Sequence, residues 1–342
     1  MNKKIRIRDI ASIAEVSIGT VDRVLHQRGK VSDKALQRVN AALKELNYKP
    51  NPMARSLKNN KVHSICVLVP DPNKDLYWLP CQQGIVSVIK EYEAFDLDIT
   101  VAYFDPEAPD TLVHEGQVLI DRFPDAFLFV PLFEQESDIL LKKLFNRNIR
   151  SATFNSLPKK HVNHHVGQDL HRSGRVGAKL ISSFLAADSN IGIIHMDEAF
   201  GNAIHMQQKE KGFRSYFEGT EIKANIYTKT LDSDAMGDDL SSFKETYDID
   251  AFFVTNSKAY KVAHMLEVMD KNAFVIGYDL LPRNIDYLES GKIQFLIHQA
   301  PRLQASRSLK HLAELLLFGK HTPTKEFLPI EIINSENLMC YL

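Results

Sequence analysis

The chain has 342 residues, of which 44% are hydrophobic and 25% charged, with only 15 Gly and 14 Pro. That composition excludes wholesale disorder and collagen-like or mucin-like architectures, and the length leaves room for two or three domains. The net charge of −1 conceals an asymmetry: residues 1–61 hold 14 Lys and Arg against 5 Asp and Glu, and the remainder holds 28 against 38. A basic head joined to an acidic body suggests that the head meets a polyanion and the body avoids one. No apolar run approaches the ~18–20 residues of a membrane span, so no membrane partner is expected. The charged stretch 1–9 lacks the apolar core of a signal peptide. Cys66, Cys81 and Cys340 are scattered without metal-ligand spacing and read as buried thiols in a reducing, cytoplasmic setting.

In chain order, Ile10, Ile13 and Ala14 predict a helix over 8–15. Ser17 is placed to cap a second short helix, whose apolar stripe is Val21, Val24 and Leu25. Gly19, Asp22, Arg23 and His26 fall on its opposite face. After the turn at Arg28-Gly29-Lys30, Ser32 is placed to cap a third helix with the stripe Leu36, Val39, Leu43 and Leu46, and Asp33 suits its first turn. Only Glu15-Val16 separates the first two helices. Two short helices on so tight a turn, braced by a third, form a helix-turn-helix.

The stretch Ile7-Arg8-Asp9-Ile10-Ala11, Val16-Ser17-Ile18-Gly19-Thr20-Val21-Asp22-Arg23-Val24-Leu25, Leu46-Asn47-Tyr48-Lys49-Pro50-Asn51 and Ala54-Arg55-Ser56-Leu57 closely resembles the DNA-binding head of the lactose-repressor (LacI/GalR) family, without a gap from about residue 5 to 60. Two positions depart from the family pattern: Asp22 replaces the usual Ser before the recognition-helix arginine, and Arg6 stands where Thr or Ser usually caps the first helix. The resemblance implies an N-terminal all-α head over 1–50, a hinge helix and linker over 51–61, and an effector-binding and dimerisation body over 62–342. The partner is then a near-palindromic double-stranded DNA operator, met by a homodimer.

On such a duplex the second helix enters the major groove. Arg23 can pair with guanine through its fork, and Gly19 permits close approach. Ile18 either presses on a thymine methyl or packs into the core. Asp22 either accepts from a cytosine amino group or orients Arg23 or His26. Ser17 and Thr20 fix the register through phosphates. Within 51–61, Pro52 suits a first helical turn, and the resemblance makes Asn51, Ala54 and Leu57 minor-groove residues, Leu57 being the wedge at the central base step. A plain linker is the other reading of that segment.

From residue 62 the rhythm changes to strands alternating with amphipathic helices. Strands are predicted at 63–69, 98–102, 126–130, 150–154, 191–195, 222–227, 251–254 and 273–278. Helices are predicted at 82–93, 111–122, 139–146, 172–185, 204–217, 235–245 and 260–269. Two such α/β series read as two Rossmann-like lobes with ligand between the carboxyl ends of their strands, and they look like a two-lobed, periplasmic-binding-protein-like body of the sugar-binding kind.

By that likeness, Asp75 with the aromatics Tyr77 and Trp78 would hold and stack on a sugar ring in a mostly apolar pocket with few polar groups. Asn256, Asp279 and Gln299 align at strand ends as polar contacts, with Asp279 the strongest anchor because a carboxylate accepts from two neighbouring hydroxyls. Asp169 is a weaker candidate. Many relatives carry an arginine ahead of the Gly212-Phe213 pair; here Gln207 or Lys209 must serve, or nothing does, and Lys258 leaves an anionic sugar open.

No cofactor, metal or catalytic group is called for. His161, His164, His165 and His171 read as a solvated loop and lack a defined zinc spacing. Gly174-Arg175-Val176-Gly177 is neither a phosphate loop nor a dinucleotide fingerprint, and no Gly-x-Ser-x-Gly elbow occurs. The expected function is a ligand-responsive transcription regulator, most simply a repressor of carbohydrate-use genes released by a sugar or sugar derivative. The alternatives are a corepressor-dependent regulator, and a stand-alone sensor or carrier whose basic head binds protein.

Overall fold

A computed structural model describes residues 7–25, 31–46, 61–186, 188–197, 200–232 and 236–342. The chain divides into two compact units, Met1–Asn60 and Lys61–Leu342.

In the first unit the described elements are the helices Ile7–Ile13, Ile18–Leu25 and Asp33–Glu45. Glu15 takes a left-handed conformation (φ 50°) that turns the chain between the first two. Ile10, Ala14, Val21, Val39 and Ala42 form a small buried core, with Val24, Leu25, Leu43 and Leu46 packed around it. Ile13 and Leu36, assigned to the apolar stripes, are exposed instead, because three short helices cannot enclose every apolar position. Ser17 caps as expected: its Oγ accepts from the Thr20 backbone N–H at 3.1 Å and pairs with Thr20 Oγ1 at 2.9 Å. Ser32 is extended at the N-cap position but makes no side-chain capping bond.

The second unit is two parallel sheets wound with helices. The first lobe carries β1 (His63–Pro70), β2 (Leu97–Phe104), β3 (Ala126–Phe129), β4 (Arg150–Asn155), β5 (His164–Gly167) and β11 (Lys325–Phe327) in the order β11-β5-β4-β3-β1-β2. The second carries β6 (Asn190–Met196), β7 (Asn225–Leu231), β8 (Ala251–Val254), β9 (Phe274–Tyr278), β10 (Phe295–His298) and β12 (Glu331–Ile333) in the order β12-β10-β9-β8-β6-β7. All pairs are parallel except β10 with β12. Central strands such as β1 and β8 are continuous buried apolar runs, as expected for strands covered on both faces.

The chain therefore passes between lobes three times: after β5, after β10, and between β11 and β12. The helix Pro301–Phe318, which had no counterpart among the expected elements, returns from lobe 2 to pack on the helix Leu79–Glu91 of lobe 1. Gly84 makes that approach possible, since a Cβ there would lie 2.4 Å from the Arg302 carbonyl oxygen. In lobe 2, Gly212 does the same for the helices Leu170–Phe184 and Ile204–Glu218, where a Cβ would lie 1.9 Å from the His171 carbonyl oxygen. Other expected elements sit within a few residues of their observed bounds, the largest slips being the helix Glu134–Asn146, which starts five residues before the expected 139–146, and β7, observed at Asn225–Leu231 against 222–227.

Two expectations need correction. His164 and His165 are not in a solvated loop but buried on β5; His164 pairs with His311 (Nε2 to Nδ1, 3.0 Å) and His165 with Thr153 (Nδ1 to Oγ1, 2.9 Å). A polar-looking tetrad hid a strand because its partners come from distant segments. Cys66 and Cys81 are buried, and burial pushes the Cys66 thiol up to about 11, but Cys340 is exposed.

Burial also drives His165 from 6.5 down to about 3. Between those values the unfolded chain takes up a proton that the folded chain refuses, so stability is lost as pH falls through that window. This residue is expected to contribute a slope of about 1.4 kcal/mol per pH unit there. Urea unfolding across the window should show a shallower pH dependence for His165→Gln than for the wild type.

Candidate functional site

The cleft between the two lobes of the body holds an inner pocket built from strand ends. Asp75 begins a short 3-10 helix, Leu76–Trp78, and its Oδ1 accepts from the Tyr77 backbone N–H at 3.0 Å. That cap sets Tyr77 and Trp78 edge to face, with centroids 4.7 Å apart. Asn155, the last residue of β4, has φ 71° and donates from Nδ2 to Tyr77 Oη at 2.6 Å. Burial and the charge of Asp279 raise the Tyr77 phenol well above its ordinary range, so it stays neutral. Asp75, Tyr77, Trp78 and Asn155 all line the pocket on the side of lobe 1.

Lobe 2 supplies Lys209, His205, Asn256 and Lys258 to the same pocket, and the second crossing supplies Gln299. Lys209 is only 1% exposed. Its Nζ donates to the Thr255 carbonyl oxygen at 2.9 Å and lies 3.6 Å from the centroid of the Tyr278 ring. Both contacts favour a charged ammonium inside the protein. Behind it, His195 bonds Thr255 Oγ1 and Glu210 Oε2, each at 2.8 Å. Burial alone would raise the Glu210 carboxyl, but hydrogen bonds from His195, Arg214 and Thr228 outweigh it and hold it at about 2. Asn256 Nδ2 donates to the Met196 carbonyl oxygen at 2.9 Å. Lys258 and Lys261 both reach Asp197 Oδ2 at 2.9 Å. These charges continue into an outer vestibule of about 660 Å³ that also exposes Asp232, Tyr260 and Arg283.

The structure brings six of the nine expected effector residues to the inner pocket: Asp75, Tyr77, Trp78, Lys209, Asn256 and Gln299. Three lie elsewhere. Asp279 (φ 64°) accepts from the Gln299 backbone N–H at 2.8 Å and from Gln299 Nε2 at 2.6 Å. Its carboxylate thus supports Gln299 and lines a separate apolar cavity of about 410 Å³ with Leu280, Leu281 and Pro301. Asp169 caps the helix Leu170–Phe184, its Oδ1 accepting from the Arg172 backbone N–H at 2.9 Å. Gln207 is half-buried off the pocket wall, because His205 and Lys209 are four residues apart on one helix face and Gln207 falls between them on another.

Asn155, His205, Asp197, Lys74, Pro106, Glu107, Leu132 and Ser257 also line the pocket and had not been singled out. Most follow a strand of a parallel sheet, which is the signal that could have found them. His205 sits on a helix and carried no such signal.

In the head, Ser17, Gly19 and Arg23 are exposed, and Thr20 and Asp22 are half-buried. Ile18 is 57% exposed, which leaves it outside the core. A Cβ at Gly19 would meet nothing nearer than Ser17 Oγ at 3.8 Å, so the fold itself does not demand glycine there. Asn51, Ala54 and Leu57, and with them the expected hinge, lie outside the described residues, as does His26. Among the described residues no helix is long and apolar enough to cross a membrane.

Residues 6–51 match the family of bacterial regulatory proteins of the lacI family, and residues 65–321 match the periplasmic binding protein domain. The ribose operon repressor of Halalkalibacterium halodurans is 25% identical over 282 residues, covering 81% of this chain and 80% of that protein. The HTH-type transcriptional regulator MalR of Streptococcus pneumoniae is 30% identical over 141 residues, 40% of this chain and 42% of that one. Among solved structures, a putative LacI transcriptional regulator from Bacteroides fragilis superposes with a TM-score of 0.76 at 28% identity, covering 82% of this chain and all of that one. A glucose-galactose binding protein from Geobacillus stearothermophilus shares the fold, with a TM-score of 0.69 at 22% identity over 81% of this chain and 99% of that one.

Hydrogen bonds to a charged group contribute about 1.5–3 kcal/mol each. Asp279→Ala removes the carboxylate that takes two donors from Gln299, so a loss of that order is expected in urea unfolding of the full chain. Asp279→Asn keeps one acceptor and should lose less. Equal stability of Asp279→Ala and wild type would show that the Asp279–Gln299 pair contributes nothing.

Proposed function

The chain belongs to the lacI family of bacterial regulatory proteins and carries a periplasmic binding protein domain as its body, and on that premise we propose that it represses carbohydrate-use genes until a sugar or sugar derivative fills the interlobe pocket. The observation that carries this reading is the pocket itself. Two aromatic rings, three amides, a buried ammonium and three carboxylates converge between two lobes, the mixture that packs on the C–H faces of a polyhydroxylated ring and bonds its hydroxyls. The relative named for a ribose operon supports a pentose or a related sugar as the first to test.

In this reading Gln299, Asn256, Asp75 and Lys209 take the sugar's polar groups, and Tyr77 and Trp78 take its apolar face. Asp279 acts through Gln299. The protein works as a dimer on a near-palindromic operator, two recognition helices lying about one helical turn apart in the major groove. Exposed Ile18 and Arg23 read base edges there, Gly19 permits close approach, and Ser17 and Thr20 hold phosphates. Effector and operator bind alternative arrangements of the dimer, and the connection over 51–61 carries the change. Linkage then requires that operator DNA weaken effector binding by the same factor by which effector weakens operator binding.

The test is operator binding by the full chain on duplexes selected from a random pool, titrated with pentoses, hexoses and sugar acids. Release by a sugar supports the repressor reading; tightening by a sugar replaces it with corepression. On the same duplexes, affinity should fall linearly with salt on a logarithmic scale, with a slope of about −0.9 per phosphate neutralised. Arg23→Ala should cost about 1–3 kcal/mol on the selected site and little on random DNA; equal losses on both would reduce Arg23 to a phosphate contact. Lys209→Met and Gln299→Ala should each weaken the sugar by about ten- to a hundredfold while leaving operator binding intact.

A further inference from the structure

The helix Glu134–Asn146 of lobe 1 begins without a cap from its own sequence. Its N-cap residue is Phe133, whose side chain offers no acceptor. The acceptor comes from lobe 2. Asn202 Oδ1 accepts from the Gln135 backbone N–H at 3.1 Å, and Asn202 Nδ2 donates to Glu136 Oε2 at 2.8 Å. Gln135 and Glu136 are the second and third residues of that helix. A side-chain oxygen on an early amide, with the third-position glutamate holding the capping residue in return, is the reciprocal arrangement of a capping box. Here its two halves belong to different lobes.

The backbone adds to this contact. Phe133 and Ala203 form an isolated antiparallel bridge, and Ala203 is the N-cap residue of the helix Ile204–Glu218, which also has no side-chain cap. Two helix starts whose own N-cap residues give no side-chain cap are thus joined across the cleft. The contact borders the inner pocket, since Leu132 and His205, each one or two residues from the bridge, line its wall. Asn202 does not line the pocket. The contact also uses segments other than the three crossings, so it joins the lobes where no chain connects them.

We propose that Asn202 is an interlobe cap that holds the cleft closed and thereby sets effector affinity without touching the effector. The second half rests on the reading of the pocket as the effector site; the first does not. Opening the cleft strips the helix Glu134–Asn146 of its cap and leaves the Gln135 amide to water. Removing an N-cap side chain shifts a folding equilibrium by about tenfold, and the same shift is expected here in the ratio of open to closed protein. Apparent effector affinity scales with the closed fraction.

The experiment measures the distance between nitroxides on the exposed sites Lys142→Cys and Lys211→Cys, one on each of the two helices joined by the cap. It uses sugar-free full chain, spin-diluted with unlabelled chain, in a Cys340→Ser background because Cys66 and Cys81 are buried. Wild type should show one dominant short distance. Asn202→Ala should enlarge a longer-distance population by about tenfold. Asn202→Asp alone should open the cleft too, because it sets a carboxylate against Glu136. The double variant N202D/E136Q, in which the donor and acceptor are exchanged between the partners, should restore the short distance. Identical distributions for wild type and Asn202→Ala overturn the proposal, as does a double variant as open as Asn202→Asp. Sugar titrations on the same proteins keep the two readings apart. If no sugar binds wild type, the effector reading falls while the distances still decide the cap.

Discussion

Gln168 lies where the chain first leaves lobe 1, and its Nε2 donates to the carbonyl oxygen of His298 at 2.9 Å and to that of Pro329 at 2.7 Å. His298 precedes the second crossing and Pro329 lies within the third, so one buried amide ties together all three passages between the lobes. The same region is held by Gln304, whose Nε2 donates to the Gln299 carbonyl oxygen at 2.6 Å, and by the Leu328 amide on the Gly167 carbonyl oxygen at 2.7 Å. Buried carbonyls without a donor are costly, so these side chains restrict how the crossings can move relative to one another. Everything the pocket does depends on that restriction, because its walls come from both lobes and from Gln299 in the second crossing.

Around the pocket, charges are placed by hydrogen bonds that the fold has already made. Asp279 holds Gln299 by backbone and side chain together, which leaves the amide oriented before any ligand arrives. Asn284, fully buried, donates to the carbonyl oxygens of Ser257, Tyr278 and Asp279 and accepts from the Tyr260 amide. It thereby joins the two loops that carry Asn256 and Asp279. On the far side, the chain from Glu210 through His195 and Thr255 ends at Lys209. Buried polar networks of this kind are stabilising only when their members are satisfied, and they make the pocket's polar groups stiff. A stiff pocket spends less ordering entropy when it binds.

The head follows a different economy. Its core is a handful of residues around Ile10, Val21 and Val39, enough to orient one helix and to leave Ile18 and Arg23 facing out. A binding surface that reads DNA needs exposed side chains on a fixed frame, and a small core supplies that without covering them.

Local patterns in the amino-acid sequence determined the three-helix head, its Ser17 cap, the alternation of strands and helices from residue 62, and the strand-end position of Asn256 and Gln299. Each of these is written in neighbouring residues: a 3.6-residue stripe, a buried apolar run, a polar residue closing a strand. What only the tertiary structure decided depends on residues far apart in the chain. His164 and His165 look solvated until His311 and Thr153 are brought beside them. Asp279 reads as a polar residue at a strand end, and only the fold shows that each of its oxygens accepts from Gln299. Lys209 and not Gln207 reaches the pocket because of the face that the helix Ile204–Glu218 presents to it, and that helix lies close against the helix Leu170–Phe184 at Gly212. The cap from Asn202 to the helix Glu134–Asn146 joins segments from two lobes, and no local pattern announces a partner that arrives from the other side of a cleft.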